Sequence, residues 1–148
     1  MNGFSEEPGK CPECQFKGVD VPYDTVLSLT HEFVKSKLTY NQFYLCVNPI
    51  CDIAYFSNYQ KIMINDVKVS IWYKENKKKY IVCYCRDITL DDITNIIKKE
   101  KDLTVEQIIK ILEKENAPTN CILHMPTGEN CDRLFLRAVE YAKKQALK

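Results

Sequence analysis

The chain has 148 residues, 45% hydrophobic and 28% charged, with a formal net charge of +1. This is the composition of an ordinary globular protein with one core or two small lobes, and it gives no bulk field that would draw nucleic acid or a membrane surface. Four glycines leave no glycine-rich phosphate loop, and no apolar stretch approaches the ~20 residues that span a bilayer.

Residues 1–9 read as a polar, acidic tail without the apolar core of a signal peptide, so a cytoplasmic location without membrane insertion is expected. Cys11-Pro12-Glu13-Cys14 follows, and Gly18 closes its turn. Val26, Leu29 and Phe33, with Leu38, recur at helical spacing and predict a short helix over 26–37. Residues 42–46 and 52–56 read as short strands, each beside a cysteine turn. Residues 61–72 are β-prone, with Asn65-Asp66 as a turn. The basic run 74–79 breaks the pattern and reads as a solvated linker.

Beyond the linker, Cys83-Tyr84-Cys85 lies in a β-prone stretch before a helical half. Thr89 with Asp92 and Thr104 with Gln107 form capping boxes ahead of helices at 90–101 and 105–115. Ile93, Ile96 and Ile97 make one core stripe, and Ile108, Ile109, Ile111 and Leu112 another. Pro118 forbids continuation of the second helix. A last helix opens at Asn130 or Cys131, with Leu134, Leu136, Val139 and Tyr141 as apolar contacts.

Eight cysteines are the anomaly. In a reducing compartment so many thiols point to metal; four structural disulfides, as in hyperthermophile proteins, are the alternative. Cys11-x2-Cys14 aims two sulfurs inward from one tight turn, and Cys46-x4-Cys51 can close a tetrahedron from a nearby strand turn. This is the spacing of structural zinc. Cu(I) is the competing metal, and His31 or Asp52 the competing ligands. In the second half, alternate strand positions put Cys83 and Cys85 on one face, able to reach one iron. Cys121 and Cys131 join them near helix N-termini, whose N–H groups suit an anionic [2Fe-2S] core. Arg86 and His124 neighbour these ligands and can donate hydrogen bonds, although solvated polar neighbours are the commoner case; Tyr84 is placed to shield one face.

The run Cys83-Tyr-Cys85-Arg-Asp-Ile-Thr89-Leu-Asp-Asp92-Ile93 resembles the bacterioferritin-associated ferredoxin type of [2Fe-2S] domain, which ends in a C-x2-C pair where this chain has Cys121 and Cys131 ten positions apart. Over about residues 10–135 the chain is also similar to the N-terminal domain of CopZ-type copper chaperones. The resemblance rests on Cys11-Pro-Glu-Cys14, Tyr44-Leu-Cys46-Val-Asn-Pro-Ile-Cys51-Asp-Ile-Ala-Tyr-Phe56, Val82-Cys-Tyr-Cys85, and Cys121 before Pro126-Thr-Gly128 and Cys131. It implies zinc on Cys11, Cys14, Cys46 and Cys51, and a [2Fe-2S] cluster on Cys83, Cys85, Cys121 and Cys131. Those chaperones continue into a copper-binding domain with an M-x-C-x-x-C loop, a pattern not found in this sequence.

The expected fold is α+β: a zinc-anchored, β-rich lobe over 10–73, a linker over 74–79 and a helical iron–sulfur lobe over 80–148. The leading expectation for function is one-electron transfer, reducing Cu(II) to Cu(I). A soft-metal (copper) chaperone or sensor without an electron-transfer role is the alternative. Expected partners are copper ions, a copper-binding chaperone domain or a copper-transporting ATPase. A hydrolytic zinc enzyme is set aside, because four thiolates leave no open coordination position, and no catalytic residue is assigned.

Overall fold

The computed structural model describes residues 9–75, 77–117 and 119–146. Of the expected tail only Gly9 falls among them, and Pro118 lies outside them. The fold is α+β. Strands β1 (Val19–Val21), β2 (Phe43–Leu45), β3 (Ile53–Phe56) and β4 (Lys61–Met63) form one antiparallel sheet in sequence order. A second, two-stranded sheet pairs β5 (Ile81–Cys83) with β6 (Ile88–Thr89).

All four residues of β3 are buried, because the strand is covered on both faces. Its register shifts between Ile53 and Tyr55. Ile53 and Phe56 consequently pack beside Cys11, Cys46 and Cys51, while Ala54 and Tyr55 join the core under α1 (Tyr23–Leu29).

The helix expected over 26–37 is two helices, α1 and the short α2 (Glu32–Lys35). The break is at Thr30, which takes extended backbone angles and bridges Val67. The neighbouring backbone is diverted as well: the His31 N–H donates to the Asp66 carbonyl at 2.8 Å and the Lys68 N–H to the Leu29 carbonyl at 2.7 Å. Tertiary pairing thus overrides the helical spacing, and Phe33, expected on the core face, is 68% exposed.

The second half follows its sequence signals more closely. Both capping boxes form, opening α3 (Leu90–Lys99) and α4 (Val105–Ile111). Ile93, Ile97 and Ile108 are fully buried in one cluster with Phe135 and Val139 of α6 (Asp132–Ala146). Helix α4 stops short of residue 115, with Glu113 in the left-handed region (φ 59°). In α6 the buried face is Leu134, Phe135, Ala138, Val139 and Ala142; Leu136 and Tyr141, expected inside, are about half exposed.

The two halves touch through α5 (Cys121–His124) and the loop after it. The hydroxyls of Thr25 and Ser28 in α1 donate to the carbonyls of Ile122 and Leu123 at 2.5 and 2.7 Å. The buried Tyr55 hydroxyl donates to the Pro126 carbonyl at 2.6 Å. Gly128 has φ +77°, and a Cβ there would lie 2.7 Å from Pro22 Cδ and Thr25 Oγ1, so only glycine lets this loop seat against α1. No described helix is long and apolar enough to cross a membrane.

Candidate metal centres

The first centre is made by two loops. Residues 10–17 close on themselves: Lys10 bridges Lys17, the Cys11 N–H donates to the Phe16 carbonyl, and the Gln15 N–H returns to the Cys11 carbonyl, both at 2.9 Å. Gln15 sits at φ 67° to make this turn. The second loop leaves β2, where the Cys46 N–H still pairs with Ala54, and turns through Asn48 to Cys51.

These loops bring the sulfurs of Cys11, Cys14, Cys46 and Cys51 within 4.8 Å of one another. Cys11–Cys51 and Cys14–Cys46 are separated by 3.9 and 3.7 Å. A zinc tetrahedron with Zn–S near 2.3 Å has edges of about 3.8 Å, so these two pairs already stand at zinc spacing and the donor set fits zinc. Among the described residues no other group of three or more His, Cys, Asp or Glu ligand atoms converges this closely, and neither His31 nor Asp52 joins the four thiols.

Backbone N–H groups already face the sulfurs. Burial pushes the Cys11 thiol up, opposed by the N–H groups of Cys14 and Glu13. Burial likewise raises the Cys46 thiol strongly, with the Asn48 N–H opposing it. At Cys14 burial is outweighed by the Phe16 N–H, the Asn48 side chain and the neighbouring thiols, which bring it down to about 7. A metal that replaces the remaining protons therefore meets thiolates with hydrogen-bond partners in place.

Sequence reasoning missed three supporting residues. Asn48 is buried, and its side chain helps to lower the Cys14 thiol. The Tyr73 hydroxyl donates to the Cys46 carbonyl. Lys74, at the head of the run read as solvated, is fully buried beneath this loop. The Tyr-Lys pair carries no motif, and only the fold brings it here.

The second set has a different geometry. Cys83 ends β5, but Cys85 is in the turn between β5 and β6, not on a continuing strand. The strand alternation expected through Cys85 is therefore absent. Cys85 pairs with Cys121 at 3.9 Å, and the Cys83 and Cys131 thiols are neighbours that shift each other. Cys121 opens α5 behind the Asn120 cap, and Cys131 immediately precedes α6. Cys83 and Cys131 are buried, while Cys85 and Cys121 are partly exposed.

Hydrogen bonds also reach these sulfurs. The Asn120 N–H donates to Cys85 Sγ at 3.2 Å. An Arg86 guanidinium nitrogen lies 3.6 Å from Cys83 Sγ, and the Arg86 Nε is buried with no partner. The neighbouring Cys131 thiol, with the Arg86 N–H and guanidinium, brings Cys83 down to about 6 against its burial; Cys131 is raised correspondingly. Burial raises Cys85. Arg86 thus belongs to the site. His124 is exposed, its Nδ1 2.8 Å from the Asn120 carbonyl. Tyr84 turns away from the sulfurs to donate its hydroxyl to the Ser70 carbonyl, and its ring meets Trp72 edge-on.

Comparison with known proteins agrees with the first centre. Residues 8–70 match the zf_CopZ family, described as a zinc binding domain. No curated protein matches the sequence significantly. Among solved structures, the fold is similar to the N-terminal domain of CopZ from Archaeoglobus fulgidus, with 25% identity and a TM-score of 0.68. The match covers 86% of this chain and 95% of that one. The family match, the fold and the four-thiol group together support a CopZ-type domain with Zn2+ as its metal.

Proposed function

We propose that this chain is a zinc-anchored, metal-handling protein of the copper-chaperone kind. Zinc on Cys11, Cys14, Cys46 and Cys51 is the closed, structural site. Cys83, Cys85, Cys121 and Cys131 are the working thiols, with Cu(I) as cargo. The observation that carries this reading is the match of residues 8–70 to a zinc binding domain of the CopZ kind, joined to a likeness with the CopZ N-terminal domain along most of the chain. Two thiols of the second set, Cys85 and Cys121, are partly exposed against Cys14 alone in the first, which supports the division, because a cargo site needs access. Soft thiolates select Cu(I) over hard cations. The test is an anaerobic Cu(I) titration against a chromophoric competitor. Wild type should take up copper with zinc retained, and Cys121→Ser should lose copper binding with zinc unchanged. Equal copper uptake by both proteins would rule the reading out.

A second reading, one-electron transfer through a [2Fe-2S] cluster on the same four cysteines, is favoured by one geometric feature. The sulfurs stand in two pairs, Cys83 with Cys131 and Cys85 with Cys121, as two bridged irons with two thiolates each require. The partnerless Arg86 Nε and the Asn120 N–H are donors suited to an anionic cluster, which would supply a single reversible electron near the surface. Two irons and two acid-labile sulfides in anaerobically isolated protein would establish this reading; their absence leaves the cargo reading.

A further inference from the structure

Lys74 is fully buried, and no carboxylate among the described residues pairs with it. Its Nζ donates to the carbonyl oxygens of Asn48 at 2.8 Å and Cys51 at 3.1 Å. The residues beside it act on the same loop. The Tyr73 hydroxyl donates to the Cys46 carbonyl, and the Glu75 N–H to the Pro49 carbonyl at 2.9 Å. Residues 73–75 therefore hold four carbonyls of the loop 46–51, which carries half of the first thiol set.

Its Nζ also lies 5.7 Å from the centroid of the Tyr73 ring. A buried ammonium facing two neutral carbonyls and one ring is still costly, because these contacts do not replace the hydration of a full charge. The balance changes once four thiolates surround a divalent metal, since that centre carries a net charge of about −2. We propose that Lys74 is the charge-balancing and positioning residue of the first metal site. Its charge offsets the metal-bound thiolates, and its two hydrogen bonds fix the loop 46–51 in the shape that retains the metal.

This inference rests on zinc being held by Cys11, Cys14, Cys46 and Cys51. The test times zinc transfer from the loaded full chain to a chromophoric chelator. Wild type is compared with Lys74→Met, which keeps the length and removes the charge, and with Tyr73→Phe, which removes one neutral bond to the same loop. Lys74→Met should release zinc at least about tenfold faster, the usual size of an outer-shell effect. Tyr73→Phe should have the smaller effect. Equal release from wild type and Lys74→Met, or equal acceleration in both variants, would overturn the proposal. If Lys74→Met does not fold, acetic anhydride labelling of wild type decides: Lys74 should be protected while zinc is bound and labelled after chelation. Equal labelling in the two states overturns the proposal. A wild type that holds no zinc removes the zinc reading as well, whereas a zinc-loaded wild type matched by Lys74→Met removes only the role of Lys74.

Discussion

In the first half of the chain four sulfurs converge within 4.8 Å of one another, while in the second half four sulfurs stand as two pairs with one pair reaching the surface. The first set is clamped by short loops, backbone N–H groups and a buried cation. The second is assembled from a hairpin end and two helix starts, far apart in sequence. One arrangement suits a metal that never leaves. The other leaves Cys85 and Cys121 partly exposed, which the proposed function uses as its point of access.

The largest effect should come from the first set. Cys11→Ser or Cys51→Ser should release zinc and with it stabilisation on the order of 10 kcal/mol, because in a lobe this small metal binding is folding free energy. Zinc analysis and thermal unfolding by circular dichroism measure this. Cys121→Ser should leave zinc and most of that transition in place; loss of zinc from it would erase the distinction between the sets.

A smaller effect is expected where the halves meet. Gly128→Ala places a Cβ against Pro22 and Thr25 at a positive φ, and should cost about 1–3 kcal/mol. Because its loop lies between Cys121 and Cys131, the substitution should also weaken occupancy of the second set, with zinc unchanged. An unaltered melt would mean the loop is not held against α1. Tyr55→Phe leaves the Pro126 carbonyl without its donor and should cost about 1 kcal/mol in the same measurement.

Thiol chemistry refines the comparison without changing stability. Directly after metal removal, Cys14, lowered to about 7 and partly exposed, should be alkylated well before Cys11 and Cys46, whose thiols burial raises. The sign follows from the direction: Cys14 is increasingly thiolate as pH rises through about 7, so its rate should climb between about pH 6 and pH 8. Peptide mass mapping after a brief iodoacetamide pulse reads this, and uniform labelling of the three would contradict it.

Much of this organisation was legible in the sequence because it is written in local chemistry. Cysteine spacing located the first thiol set, and the capping residues Thr89, Asp92, Thr104 and Gln107 opened their helices at the expected residues. What depends on tertiary pairing was not legible. Nothing local marks Thr30 as a helix break, since its partner is Val67. The C-x-C spacing suggested a strand running through both sulfurs, but the chain turns at Tyr84, and Cys85 meets Cys121 while Cys83 neighbours Cys131. Lys74 lies in a basic run that reads as solvated, and only the loop 46–51 closing over it gives it a role. The residues just before that run link the halves: Trp72 packs against both main cores, and Tyr84 reaches back to Ser70.

The division of labour between the two thiol sets is tested most directly by X-ray absorption at the zinc edge, before and after anaerobic loading with Cu(I). The account predicts four sulfur neighbours at about 2.3 Å in both states, because the first set is closed and the second receives the copper. Loss of sulfur neighbours from zinc on copper loading, or a mixed shell of sulfur with nitrogen or oxygen at the outset, would contradict it.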